Sequence, residues 1–470
     1  MSKVGLFGIG LDTYWAQFEG LRDRLQGYQN YIAERMIQLG ADVVDVGLID
    51  SPEKAIAASE ALKKEDLQLV FIYVSTYALS STVLPIAQRL IVPVIILNLQ
   101  PVAAIDYDSF NALGDRGKMT GEWLAHCQAC SVPEIANVFD RSGIQYEFVT
   151  GYLKEEGVWN EVGDWIASAK AVHIMQNNRL GVLGHYYGGM LDVYSDLTQQ
   201  SAIFGTHIEI LEMCELKKYR DEATEKEIAQ KISEFETTFE VIPACDKAEI
   251  VRAAQTSVAL DKMVSAHRLG SLAYYYEGTD GNEYENIATS VIAGNTLLTG
   301  RNVPVAGECE VKNAQAMKIM DAFGAGGSFS ELYAMDFIDD IVLLGHDGPA
   351  HFAIAEGPVQ LVPLPVYHGK PGKGLSIQMT VKHGKVTLLS VVQAKDKLFL
   401  LVAEGMSVPG PILQIGNTNS RYRFPITARE FVNNWSKQGP AHHCAIGVGH
   451  ITSKLKKFAF LLKMDIVQIC

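Results

Sequence analysis

VGLFGIGLDTYW, Val4 to Trp15, is the stretch whose reading decides the fold. Val4 to Phe7 is an apolar run, and Gly8 and Gly10 follow where a first β-strand would hand the chain to a helix. A dinucleotide-binding loop needs a third glycine, so that backbone can approach a pyrophosphate at the helix N-terminus. Here Leu11, Asp12 and Thr13 follow instead, and the rings of Tyr14 and Trp15 occupy the space that a phosphate would need. A bulky, partly polar loop at a strand end suits an uncharged polyhydroxylated ligand better than a pyrophosphate.

Outward from this loop, short apolar runs alternate with amphipathic segments. Residues 4–7, 41–46, 67–74 and 92–97 read as strands, with helical patterns over 18–39 and 52–64. The apolar runs are continuous rather than alternating, as in parallel strands covered on both faces. A doubly wound α/β domain is expected, with its ligand at the carboxyl ends of the strands, near Ser75-Thr76 and Asn98 to Gln100. A second α/β unit opens with a strand at Arg179 to Gly184, continues through helical patterns over 221–241 and 247–269, and reaches another strand at 272–278. Beyond about residue 328 the apolar period becomes two. Leu375 to Val381 and Val386 to Val392 read as a hairpin joined through His383-Gly384-Lys385, and 398–402 continues the pattern. The expected architecture is two Rossmann-like doubly wound α/β domains, 1–177 and 178–327, followed by a β-rich, barrel-like domain, 328–470.

A chain of 470 residues divides into several cores, and 48% hydrophobic with 20% charged residues is an ordinary globular balance. A formal charge of −14 argues against nucleic acid, whose binding depends on neutralising phosphates. No apolar stretch is long enough to cross a bilayer, and the N-terminus runs into a strand without a signal-like cleavage region, so a cytoplasmic protein is expected. Seven cysteines form no disulfide framework. Cys127 and Cys130 have C-x-x-C spacing, which a redox pair or half a zinc site would use. No second C-x-x-C completes a four-cysteine site, and the two are read as small apolar residues buried on a helix.

The chemistry-bearing residues cluster late. Glu308 follows Gly307 after an apolar stretch, Glu331 follows the glycine-rich GAGGSFS, and His346 ends an apolar run. The segment GPAHHCAIGVGH supplies His442, His443 and His450. Two carboxylates and two imidazoles at element ends suit a divalent cation such as Mn²⁺, with room left for substrate oxygens. Spacing alone is a weak signal, and it fits solvated helix-end carboxylates and hydrogen-bonded core histidines better than a metal site.

These segments resemble the L-arabinose isomerase family, within the wider arabinose and fucose isomerase fold. The family's first ligand motif is similar to AGE, with Glu310 two residues on and Lys312 four on, which implies a metal ligand at Glu308. GGSFSELY implies a second at Glu331, LLGHDG a third at His346, and GPAHHC a fourth at His443 with His442 beside it. The resemblance also implies sugar contacts at Tyr14, Gln128, Met190 and Tyr276, and at the loop positions Leu11 and Thr13. This chain departs from the family at Leu11, where a glutamine stands, at Thr13, where a leucine stands, and near Ser131, where a histidine stands. YHGKPGKG, Tyr367 to Gly374, puts Lys370 and Lys373 into a loop that is more apolar in the family.

What the resemblance implies is aldose–ketose interconversion through an enediol. Glu308 and Glu331 would exchange protons while also ligating a divalent metal, most simply Mn²⁺. It implies further a homohexamer in which the pocket of one subunit is completed by the N-terminal domain of another. Two alternatives stand beside this reading. One is an isomerase for a different or acidic sugar, met by Lys370 and Lys373; the other is a sugar-binding protein without catalysis.

Overall fold

The computed structural model describes every residue except Met1, Asp280, Pro365, His368, Gly369, Gly372 and Asp396. The chain divides into two compact units, Met1–His173 and Ile174–Cys470. No helix among the described residues is long and apolar enough to cross a membrane.

The first unit is a five-stranded sheet made of β1 (Ser2–Ile9), β2 (Ala41–Ile49), β3 (Leu69–Val74), β4 (Val94–Gln100) and β5 (Tyr146–Tyr152). Its order is β2-β1-β3-β4-β5, and every pairing is parallel. This is a doubly wound order whose switch point lies between β1 and β3. All six residues of β3 are buried, which is why its apolar run does not alternate. The glycines of the opening stretch make room for the chain's own side chains. A Cβ on Gly10 would meet the Trp15 ring at 2.8 Å, and one on Gly8 would meet Gln29 Oε1 at 2.2 Å. The Trp15 indole N–H donates to Asp50 at 2.9 Å, so the ring is folded back over the strand end.

Cys127 and Cys130 are joined by a disulfide, and Cys130 is exposed, which corrects the reading of both as buried thiols. Cys127 caps the helix Gln128–Ser142, so the three-residue spacing puts both sulfurs on one side of its first turn.

The second unit contains a four-stranded parallel sheet, in which Arg179–Gly184 lies between His207–Leu211 and Ser271–Tyr275, with Val305–Ala306 at the edge. It also contains a seven-stranded sheet. Six of its strands (384–394, 443–448, 326–336, 341–346, 418–423 and 397–408) pair antiparallel in that order, and the last returns to the first. The ring is therefore closed into a β-barrel. Asp465–Gln468 adds in parallel on the outside of the 397–408 strand. Leu388, Leu401, Ala403 and Ile446 are buried in the core cluster of this unit.

The hairpin expected between 375–381 and 386–392 does not form. Leu375–Gln378 pairs with Gln360–Pro363 in a separate small sheet, while Gly384–Ala394 pairs with Lys397–Val408. Ala394 faces Lys397, so the true hairpin turns directly after Ala394, with Lys395 in the left-handed region at φ 49°. Lys-Asp lacks the Asn-Gly signature of such turns, and the period-two pattern names a strand without naming its partner.

The helix Val311–Ala322 is central to this unit. Every residue from Val311 to Met320 is buried, and the helix contacts strands of both sheets. Its interior lysines are paired, Lys312 with Glu310 at 2.8 Å and Lys318 with Asp321 at 2.9 Å. Buried charges are tolerated only when matched in this way.

A surface network ties the parallel sheet to its helices. His267, the last residue of the helix Lys247–His267, lies 2.6 Å from Glu209 and 2.7 Å from Glu215, and Arg179 pairs with Glu209. Hydrogen bonds to Glu215 and Glu209 raise the His267 pKa. A raised folded-state value contributes stability below the unfolded value near 6.5, and that contribution is lost as pH rises through the folded value. His267→Gln is expected to lower the melting temperature at pH 5.5, with the deficit shrinking by pH 9. A deficit that is constant across that range, read by thermal melts, would contradict the linkage.

Candidate active site at the barrel rim

Three adjacent barrel strands carry the C-terminal candidates. Glu331 sits mid-strand in Gly326–Asp336, facing His443 on one side and Gly345 on the other, and His346 is the next residue after Gly345. Glu308 arrives from the parallel sheet, between the edge strand Val305–Ala306 and the central helix. Glu308 and Cys309 both adopt left-handed backbone, at φ 54° and 58°. This conformation costs non-glycine residues about 1–2 kcal/mol each. It is held by Cys309 N–H donating to Tyr274 O at 2.9 Å and Glu310 N–H donating to Gly307 O at 3.0 Å.

The side chains converge in two overlapping groups. Glu308, His346 and His443 form one, and Glu331, His442 and His443 the other; within each, the candidate ligand atoms lie within 4.8 Å of one another. Both groups share His443, and neither holds all four residues of the expected set. Glu308 Oε2 and His443 Nε2 lie 3.4 Å apart, both buried and neither in a well-aligned hydrogen bond, with His442 Nε2 also 3.3 Å from Glu308 Oε2. Buried polar atoms that face a common centre without well-aligned hydrogen bonds are costly in themselves, and a carboxylate oxygen beside an imidazole lone pair fits a cation there.

His443 is oriented for that role, because its Nδ1 faces Glu310 Oε2 at 3.2 Å, which places the proton on Nδ1 and the lone pair on Nε2. Glu310 carried no assigned role in the sequence reading; the acidic residue two after Glu308 was its only signal. His346 is oriented differently. Gly348 N–H donates to its Nδ1 at 2.7 Å and its Nε2 faces Glu308 Oε1 at 3.7 Å, so this ring must turn or release Gly348 to offer Nε2 to a metal. Phe329 backs both rings, with centroids 4.4 Å from each.

The electrostatics match this geometry. Burial pushes the Glu308 carboxyl up, but the imidazoles of His346, His442 and His443 outweigh it and hold it well below the usual carboxylate range. Burial pushes His443 down, favouring its neutral form. For His442 burial is outweighed by Glu308 and Asp192, and its pKa is pushed up to about 9. The site has a closed side and an open one: the Glu308 and His443 side chains are 10% and 0% exposed, Glu331 and His442 30% and 34%.

The other candidates fall in three places. Met190 and Tyr276 are half-buried in the second unit, on the loop after Arg179–Gly184 and just past Ser271–Tyr275. Tyr275 stacks on Tyr187, whose N–H donates to Glu308 O at 3.4 Å. Leu11, Thr13 and Tyr14 belong to the first unit, at or in the short helix Asp12–Tyr14 after β1. Gln128 is fully buried there and donates to Ser75 O and Ala125 O. His450 lies apart from the cluster and bonds Gly405 O at 3.0 Å. In the lysine loop, His368, Gly369, Gly372 and the side chain of Lys370 fall outside the described residues, and Lys373 is exposed.

A barrel rim with clustered carboxylates and imidazoles, fed by a parallel α/β sheet, is the setting in which comparison with known proteins becomes informative. No family model matches the chain. Curated proteins relate it distantly to sugar isomerases. It is 20% identical over 330 residues to a sulfoquinovose isomerase of Alkalicoccus urumqiensis, covering 69% of this chain and 72% of that one. It is 19% identical over 335 residues to the L-arabinose isomerases of Aeromonas salmonicida and Aeromonas hydrophila, covering 68% of this chain and 66% of theirs. A Salmonella D-lactate dehydrogenase structure aligns at 11% identity over 68% of this chain and 95% of its own; its TM-score of 0.16 carries no argument about fold.

Proposed function

We propose that this chain is a metal-dependent aldose–ketose isomerase. The observation that carries the reading is the convergence of Glu308 Oε2 and His443 Nε2, buried behind the more open Glu331 and His442, with ligand atoms close enough to share one ion. The distant similarity to sugar isomerases supports it. Glu308, His443, Glu331 and, after reorientation, His346 would hold the ion. A bound divalent ion such as Mn²⁺ supplies polarisation of the sugar carbonyl and charge stabilisation of the enediolate.

The chain's own residues divide the remaining work. Glu308, held ionised among imidazoles, serves as ligand. Glu331 faces the open side and shuttles the proton between C2 and C1. His442, charged at neutral pH and 3.3 Å from Glu308 Oε2, donates to a substrate oxygen. The stacked Tyr187 and Tyr275 limit water at the enediolate. Leu11, Thr13 and Tyr14 would contact sugar from a second subunit of a hexamer, a state that light scattering checks; Gln128, fully buried with its amide donating to Ser75 O and Ala125 O, holds the first unit together instead.

The relatives are named for two different sugars, sulfoquinovose at 20% identity and L-arabinose at 19%, so both are tested. The deciding experiment assays ketose formation from L-arabinose, other neutral aldoses and sulfoquinovose with Mn²⁺, Co²⁺ or Mg²⁺, with and without chelator. Turnover that chelator abolishes is the expected result. Sugar-induced thermal stabilisation with no turnover under any metal would replace this reading with that of a binding protein.

A further inference from the structure

Asp192 lies 250 residues before His442 in the chain, and nothing in its local sequence marks it. Its Oδ2 accepts from the His442 backbone N–H at 3.0 Å and lies 2.6 Å from His442 Nδ1. Its backbone carbonyl accepts from Lys312 Nζ at 2.8 Å. Lys312 in turn pairs with Glu310, which faces His443 Nδ1. One residue of the loop after Arg179–Gly184 therefore reaches both imidazoles of the His442-His443 pair, directly for the first and through two buried charges for the second. The same loop donates Tyr187 N–H to Glu308 O.

An imidazole is free to rotate about two bonds, and a carboxylate on Nδ1 removes that freedom and fixes the proton on Nδ1. With Nδ1 taken by Asp192, His442 presents Nε2 to Glu308 Oε2 at 3.3 Å and Glu331 Oε2 at 3.9 Å. We infer that Asp192 is a positioning residue, whose carboxylate aims His442 Nε2 at the paired carboxylates and whose loop is thereby locked onto the site. This rests on the isomerase reading for its catalytic consequence but not for its geometry.

The test uses the full chain and three readouts. The first is the downfield proton signal of an imidazole N–H bound to a carboxylate, recorded without metal and assigned by its loss in His442→Gln. Asp192→Asn is expected to abolish or shift that signal. The second is Mn²⁺ affinity, measured from free Mn²⁺ by electron paramagnetic resonance, which is expected to stay within about threefold because Glu308 and His443 are untouched. The third is turnover on whichever aldose is active, where kcat is expected to fall by about tenfold or more with a smaller change in KM, as when an orienting carboxylate is lost and the imidazole is no longer held in place. Asp192→Asn combined with His442→Gln is expected to be no slower than His442→Gln alone.

An unchanged signal and wild-type kcat in Asp192→Asn would overturn the positioning role. If Asp192→Asn fails to fold, the wild-type signal decides, and its absence overturns the inference. A wild-type chain that shows the signal but neither binds Mn²⁺ nor turns over sugar overturns the isomerase reading and leaves the Asp192–His442 geometry standing.

Discussion

Glu308→Gln is expected to lower isomerase turnover by about 10³-fold, because it removes a ligand of the ion that polarises the sugar carbonyl. The substitution keeps the size of the side chain and removes the charge around which three imidazoles are grouped. Mn²⁺ affinity is expected to fall with it, which a titration separates from the rate. The metal-free protein should show a second consequence. A carboxyl held below its usual range contributes stability above the unfolded value near 4.5, and loses it as pH falls through the folded value. Wild type is therefore expected to destabilise on acidification below pH 4.5 more steeply than Glu308→Gln. Equal turnover in the two proteins would remove Glu308 from the mechanism.

Lys312→Met is expected to carry the largest cost in stability, about 3–5 kcal/mol, because it strands the Glu310 carboxylate in the interior. The side chains of the pair are 4% and 0% exposed. Lys312→Met with Glu310→Gln removes both charges and is expected to recover most of the loss, although Mn²⁺ affinity should still suffer because His443 loses its carboxylate. Unfolding melts of the three proteins check this. A single variant as stable as wild type would mean that water reaches Glu310, by way of the cavity of about 290 Å³ that Lys312 shares with Leu191, Asp192, Gln393 and Lys395.

Much of the architecture was legible because burial on both faces writes itself into a strand as an unbroken apolar run. The strands over 4–7, 69–74 and 94–97 were readable for that reason. The hairpin was misplaced because strand pairing is a property of two segments, and Lys395, which takes the left-handed backbone after Ala394, is not a residue type that announces it. The disulfide was set aside because C-x-x-C spacing allows a redox pair, half a metal site or two buried thiols alike, and only the helix start at Gln128 brings the two sulfurs together.

Glu308, Glu331, His346 and His443 were singled out from their places at element ends and from a family resemblance. Glu310, Asp192 and Lys312 acquired roles only in three dimensions.

The order of apolar and polar residues, by itself, determined the layered α/β first unit, the switch to β-structure near the C-terminus and the residue types able to ligate a cation. Only the tertiary structure decided that the six barrel strands close on themselves, that His443 offers Nε2 while His346 does not, and that Asp192 holds His442. The physical reason is range: burial and backbone propensity act within a few residues and leave a periodic trace. Register, tautomer and ion pairing depend on atoms brought together across as many as 250 positions, and leave none.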